Sequence, residues 1–220
     1  MPYPRRMPAF NCEICGDEFS LPRDVLDRYP GWTPRLCRRH RDSGSGTAGD
    51  RTTRRHLRRP GNGGLLTPAD VLERYTDGPV DGVFTDGGAA PNPGPGGWGS
   101  VYVVANELLA ERHGRDPDTT NNRMELTALI RGAALVPDDT RAIVYSDSRL
   151  SVRIISEWAA GWERRGWKRK TGPVENLDLV KTAYAIYRDR PELSLQWIAA
   201  HVGLRWNEYA DALASEWRRT

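Results

Sequence analysis

Four acidic side chains stand where distant parts of the chain could meet: Asp86 in Phe84-Thr-Asp-Gly-Gly, Glu125 in Arg123-Met-Glu-Leu, Asp147 in Tyr145-Ser-Asp-Ser and Asp211 in Asn207-Glu-Tyr-Ala-Asp. Asp86 and Asp147 directly follow apolar runs that read as strands; Glu125 and Asp211 fall in helical patterns, Glu125 in a first turn. Carboxylates that converge repel one another unless cations share the site. A cluster of these four therefore implies hard divalent ions with oxygen ligands, Mg2+ being the natural candidate and Mn2+ a substitute. Taken singly, Glu125 and Asp211 could equally cap a helix or end an element in solvent; Asp86 and Asp147, which directly abut apolar strands, fit that reading less well.

A second constellation uses softer ligands. Cys12-x2-Cys15 and Cys37-x2-His40 are separated by 21 residues, and two such knuckles make a closed tetrahedral Zn2+ site able to hold together a segment too small for its own core. Unligated thiols are the alternative. Three cysteines, an odd number, argue against a secreted disulfide framework.

The elements that must position the carboxylates begin near residue 65. Thr67, Pro68 and Asp70 suit an N-cap, a first helical position and a capping-box acid; Pro22–Tyr29 resembles this start without the capping hydroxyl. Val80–Thr85 reads as a strand, and Trp98–Val104 with Leu108–His113 as a hairpin turning near Asn106. A helix capped by Asn121 or Asn122 runs to about Leu135, before Pro137. Arg141–Tyr145 reads as a buried strand, Ser148–Ala160 as a helix, and Leu177, Val180, Tyr184 and Tyr187 as the apolar stripe of another. Leu193–Ala199 is a last strand and Trp206–Arg218 a last helix. The order β-β-β-α-β-α-α-β-α describes an α/β fold, a five-stranded mixed sheet flanked by helices. Its first and fourth strands can be neighbours, which brings Asp86 and Asp147 to one edge.

Gly94-Pro-Gly-Gly-Trp-Gly99 satisfies the G-x-G-x-x-G dinucleotide fingerprint in the wrong context. That motif should open a helix, whereas Pro93 and Pro95 interrupt it and a β-rich run follows. A hairpin-like turn is expected instead.

Composition sets the frame. The 220 residues carry a net charge of +3, split unevenly: residues 1–64 hold 13 Lys/Arg against 7 Asp/Glu, residues 65–220 hold 19 against 22. A basic front half suits a polyanionic partner and an acidic back half can hold metal ions. Residues 43–64, Gly/Ser/Thr-rich with five Arg, read as a basic flexible linker. It separates a zinc module at 1–42 from a domain at 65–220 with its core at about 80–219. No stretch approaches the ~20 apolar residues of a membrane span, and the start lacks a signal peptide's apolar centre. A cytoplasmic monomer is the expectation.

These motifs resemble type 1 ribonuclease H. Thr85-Asp-Gly-Gly with Pro91-Asn-Pro-Gly-Pro-Gly-Gly-Trp-Gly is similar to that family's opening signature, and Thr119-Thr-Asn-Asn-Arg-Met-Glu-Leu126 to its second motif. Ser146-Asp-Ser matches the third, and His201-Val-Gly with Asn207-Glu-x-x-Ala-Asp211 the fourth. The resemblance implies endonucleolytic cutting of the RNA strand of an RNA–DNA hybrid, leaving 5′-phosphate and 3′-hydroxyl ends. It makes Asp86, Glu125, Asp147 and Asp211 the ligands of two Mg2+ ions, about 4 Å apart, that flank the scissile phosphate, activate a water and stabilise the leaving oxygen. His201 becomes a mobile proton carrier or an aid to product release.

Substrate contacts follow the same route. Asn92, Asn121 and Asn122 match positions that sense the hybrid's minor groove, where amides can donate to and accept from a 2′-hydroxyl. Thr120 and Asn176 match positions that hold a DNA-strand phosphate. Gly161–Lys170 packs five cations around two Trp and resembles the family's basic protrusion, with Trp167, Lys168, Arg169 and Lys170 as its contacts. Trp158 reads as hydrophobic support. Arg149 stands where many relatives have an amide, so a contact to the RNA strand is charged here. Two other readings stay open: a catalytically silent hybrid-binding protein, and a DNA-directed nuclease of the same superfamily.

Overall fold

The computed structural model describes residues 8–11, 16–20, 65–169 and 171–219. Cys12, Cys15, Cys37, His40, the 43–64 linker, the Pro22–Tyr29 segment and Lys170 lie outside the described residues. The chain divides into two units, Met1–Arg59 and Pro60–Thr220. In the first, strands β1 (Ala9–Asn11) and β2 (Glu18–Ser20) pair antiparallel, with Phe10 and Phe19 in register and their ring centroids 5.9 Å apart.

The second unit opens with helix α1 (Pro68–Arg74), started by the anticipated capping box: Thr67 accepts from the Asp70 backbone, and Asp70 accepts from the Thr67 backbone. Strands β3 (Gly82–Ala89), β4 (Gly94–Val104), β5 (Glu107–Thr119), β6 (Ala142–Ser146) and β9 (Leu193–Trp197) form one sheet in the order β5-β4-β3-β6-β9. Strand β4 runs antiparallel to both β5 and β3, whereas β6 and β9 run parallel to β3. Helix α2 (Asn121–Ala133) follows β5, and α5 (Leu177–Asp189) precedes β9. Between them lie α3 (Arg149–Arg153), a widened π turn (Ile154–Trp158), α4 (Ala159–Arg164) and a two-residue ribbon, β7 (Lys168–Arg169) with β8 (Gly172–Pro173). Helix α6 (Arg205–Ala214) and a short 3-10 turn (Glu216–Arg218) close the chain.

Strand periodicity divides the core between the two faces of the sheet. Phe84, Val101 and Val103 pack with Val71 of α1 and Trp206, Tyr209 and Leu213 of α6. Val83, Tyr102 and Val144 pack with Leu129 and Ala133 of α2. A third cluster joins Leu126, Ile155, Trp162 and Val180, tying α2 to α5 and to the helical segment after β6. Arg190 ends α2 from across the fold, donating to the carbonyls of Ala133, Val136 and Pro137 at 2.9, 3.2 and 2.9 Å and so satisfying groups a helix end leaves open.

Five expectations are corrected. The N-cap of α2 is Thr120, whose hydroxyl accepts from Arg123 N, rather than Asn121 or Asn122. Glu125 then lies one turn into the helix, whose first turn holds no acid. The helix after β6 is not regular, because the π turn interrupts it. Gly94–Gly99 is no turn: these residues are the first half of β4 and pair with β3. Finally, β5 continues six residues past His113, since pairing with β4 supplies its hydrogen bonds although little of it is buried.

Candidate active site

Asp86 does not follow β3 but lies within it, opposite Gly99 of β4. Its pairing on the other side stops one residue earlier, at Thr85 opposite Ser146, and Thr85 Oγ1 donates to the Tyr145 carbonyl at 3.0 Å. The sheet therefore parts beside Asp86, at the carboxyl end of β6, where Asp147 emerges. Crevices of this kind, outside the carboxyl ends of parallel strands, are where open α/β sheets place their sites. Asp86 shares the Phe84 face of β3, the face covered by α6, which carries Asp211.

Two glycines let the helices reach this point. A methyl group on Gly87 would overlap the backbone of Met124 and Glu125, so β3 touches α2 where α2 presents Glu125. A methyl on Gly99 would meet the Ala210 carbonyl and Leu213, so β4 touches α6 beside Asp211.

The result is a convergence of charge. One oxygen from each of Asp86, Glu125 and Asp147 lies within 4.8 Å of the others. Atoms of His201, Glu208 and Asp211 form a second such group, and Asp211 lies near enough to Asp86 for its charge to raise the Asp86 carboxyl. Burial pushes the Asp86 carboxyl well above the ordinary carboxylate range, and the charges of Asp147 and Asp211 push it further. Burial does the same to Glu125, reinforced by Asp86 and Asp147 and opposed by a hydrogen bond from Ser146. Asp147 is raised too, chiefly by burial, against the Asn207 amide and the nearby His201. Such a set is costly until something positive is shared among its members.

A divalent cation fits. Glu125 Oε2 is buried and has no hydrogen-bond partner among the described residues, an acceptor in need of a ligand. The donor set is all carboxylate, as hard cations prefer.

The surroundings orient the ligands. Asn207 Nδ2 donates to Asp147 Oδ2 at 3.2 Å. Glu208 Oε1 accepts from Gly203 N at 3.1 Å, fastening the loop that carries His201. His201 is exposed and has a left-handed backbone, φ 51°. Asn207, Glu208 and Ser146 were not singled out from the sequence. A signal existed for Asn207, which is four residues before Asp211 and so on the same helix face.

The expected substrate residues separate into groups. Asn92 Oδ1 accepts from Asn121 N at 3.1 Å, and Asn121 Oδ1 accepts from Ala89 N at 2.6 Å; both amides hold the loop before β4 against the start of α2, and their NH2 groups donate to no partner among the described residues. Thr120 spends its hydroxyl on the cap. Asn176 has a left-handed backbone, φ 52°, and accepts from Arg123 Nη1 at 3.5 Å. Asn122, Arg169 and Asn176 line one groove with Leu126, Trp158 and Trp162. Trp162 is buried and Trp158 partly so, both packed in the core cluster behind the groove. Trp167 meets Tyr184 edge-on with Lys181 over its face, and Arg169 lies 3.6 Å from Glu175. Arg149 lies elsewhere, over Trp197 beside Asp147.

A five-stranded mixed sheet flanked by helices, with acidic side chains gathered beside the carboxyl end of β6, defines an α/β protein whose site chemistry suits hard cations. The RNase H family model matches residues 81–218, and the chain belongs to that family. It is 43% identical over 137 residues to the ribonuclease H of Methylorubrum extorquens (strain PA1), matching 62% of this chain and 59% of that one. Identity is also 43%, over 136 residues, with the ribonuclease H of Halorhodospira halophila (strain DSM 244 / SL1), covering 60% of this chain and 89% of the relative. Among solved structures, LC9-RNase H1, described as a type 1 RNase H with the type 2 active-site motif, superposes with a TM-score of 0.51 at 31% identity over 64% of this chain and 74% of that one.

Proposed function

We propose that the chain is a metal-dependent endoribonuclease that hydrolyses the RNA strand of RNA–DNA hybrids, leaving 5′-phosphate and 3′-hydroxyl ends. The observation that carries this reading is the approach of Asp86, Glu125 and Asp147 to within 4.8 Å, with an unpartnered Glu125 oxygen among them. Asp86, Glu125, Asp147 and Asp211 hold two divalent ions, Mg2+ or Mn2+. Bound there, the cations supply Lewis acidity toward a phosphate and make water a better nucleophile. Asn207 keeps Asp147 turned toward the site, and Ser146 does so for Glu125. His201, at the exposed rim, moves a proton at its imidazole between solvent and the leaving 3′-oxygen.

Recognition is assigned to the amide groups of Asn92, Asn121 and Asn122 on the minor groove, and to Thr120 and Asn176 on a DNA-strand phosphate. Trp167, Lys168, Arg169 and Lys170 flank the DNA strand, and Arg149 the RNA strand. The test is a gel with labelled hybrid, duplex DNA and duplex RNA, with and without EDTA. Cutting confined to the RNA strand of the hybrid, and lost in EDTA, is expected; binding without cutting, or cutting of duplex DNA, replaces this reading with one of its two rivals.

For the front of the chain the same proposal assigns a Zn2+ module at 1–42 with Cys12, Cys15, Cys37 and His40 as ligands, a linker at 43–64 and a catalytic domain at 65–220, as a cytoplasmic monomer. It rests on ligand spacing and on the basic balance of residues 1–64. Elemental analysis should find about one zinc per chain. Removing residues 1–64 should keep cleavage but weaken hybrid binding, increasingly so as salt rises.

A further inference from the structure

Trp197 is a large aromatic left 44% exposed at the end of β9, although β9 lies parallel to β6 with Trp197 in register with Ser146, next to Asp147. Its indole is fixed on one edge, where Nε1 donates to the Asp147 carbonyl at 3.1 Å. Over its ring lies the Arg149 guanidinium, Cζ 4.2 Å from the centroid. Arg149 opens α3, which Ser148 caps, so its backbone is set two residues from Asp147. Some arginines of this domain are neutralised by acids, as Arg123 is by Asp178 and Arg153 by Glu157. Arg149 has no carboxylate partner among the described residues; an aromatic face holds it instead.

A guanidinium held over an indole face does not spend its N–H donors on that contact and can offer them to a bidentate acceptor. Cation–π contact suits this role, because it restrains the group without using its donors or its charge. The tether to the Asp147 backbone makes the position of that edge depend on the residue that also helps to form the carboxylate cluster.

We infer that Trp197 is a positioning residue: it presents Arg149, edge outward, as a clamp for a phosphodiester of the strand being cut, next to the carboxylates. This rests on the hybrid-cleaving reading above and adds its partner chemistry, a backbone phosphate in place of a base or a 2′-hydroxyl. It also makes Trp197 a determinant of substrate affinity although no atom of it need touch the substrate.

The test is a mutant cycle on the full chain. Hybrid affinity is measured in EDTA across a salt series, and KM and kcat in Mg2+, for wild type, Arg149→Gln, Trp197→Leu, Trp197→Phe and the double variant Arg149→Gln/Trp197→Leu. Arg149→Gln should weaken binding roughly fivefold to tenfold and flatten the plot of log affinity against log salt by about 0.7–0.9, the contribution of one phosphate contact. Trp197→Leu should reproduce most of that loss, Trp197→Phe should recover affinity to within about twofold, and the change should fall on KM rather than kcat. In the double variant the two losses should not multiply. Losses that multiply, or an unchanged salt slope in Arg149→Gln, would overturn the inference. Should Trp197→Leu fail to fold, Trp197→Phe and Arg149→Gln carry the test: a large loss in the former or an unchanged slope in the latter refutes the clamp. A wild-type chain that binds hybrid without cutting it sinks the function proposed above and leaves the binding cycle readable.

Discussion

Asn207 and Asp147, sixty residues apart, are joined by a 3.2 Å hydrogen bond from Nδ2 to Oδ2, while the buried Oδ1 of Asn207 has no partner among the described residues. The amide is thus oriented by what it does for the carboxylate. Groups that steer a ligand in this way commonly govern metal affinity by about 10–100-fold. Asn207→Ala should raise the Mg2+ concentration for half-maximal cleavage on that scale, with a smaller loss at saturating Mg2+. An unchanged Mg2+ titration would remove Asn207 from the site.

Asp86 is pressed well above the ordinary carboxylate range by burial and by the charges of Asp147 and Asp211. Asp86→Asn should lower cleavage about 10²–10³-fold, the scale seen when electrostatic stabilisation of developing charge is lost, here through weaker hold on the cation, while hybrid binding stays measurable. Turnover near the wild-type rate would take Asp86 out of the mechanism.

The raised carboxyls also set a pH dependence of stability. Their ordinary values are 3.8 for Asp86 and 4.5 for Glu125, and folding raises both. The folded chain then binds protons that the unfolded chain has released, so stability falls as pH rises from about 4 through the raised values. Melting in EDTA should show Tm declining across that window, with Mg2+ restoring more at neutral pH than at pH 4. For the same reason Asp86→Asn should melt higher than wild type in EDTA at neutral pH. A metal-free Tm that climbs steadily from pH 4 to pH 7 would contradict this account.

Gly87 predicts a joint effect on stability and activity. A methyl there meets the backbone of α2 at Met124 and Glu125, and overpacking of this kind costs ~1–3 kcal/mol. Gly87→Ala should lower Tm and, because α2 must move away with Glu125, lower cleavage by more than the loss of folded protein explains. Activity that tracks the folded fraction alone would show that the contact is structural only.

His201 sits on a loop fastened by Glu208. His201→Ala should reduce kcat about 100-fold, the lower range for losing a general acid or base, and change KM little. If KM moves instead, His201 is a substrate contact.

Much of the site was legible before any coordinates. The order of elements along the chain, and the first and fourth strands as possible neighbours, were readable from local patterns such as the stripe of α5, and short motifs marked Asp86, Glu125 and Asp147, which approach within 4.8 Å. Local chemistry was ambiguous where several groups could do one job. Thr120, Asn121 and Asn122 are all able to cap α2, and only the backbone path shows that Thr120 does while Asn121 braces Ala89. The long exposed β5 carries little apolar pattern because β4, far more than burial, holds it.

What the chain's letters determined by themselves is which residues can bind cations and on which elements they ride, since residue type and short-range periodicity are local properties. Tertiary structure alone decided how they meet: where the sheet parts beside Asp86, how Gly87 and Gly99 admit two helices, and that Asn207 and Trp197 both reach Asp147 across at least fifty residues. Those relationships are set by packing between elements distant in sequence, and no window along the chain contains both partners.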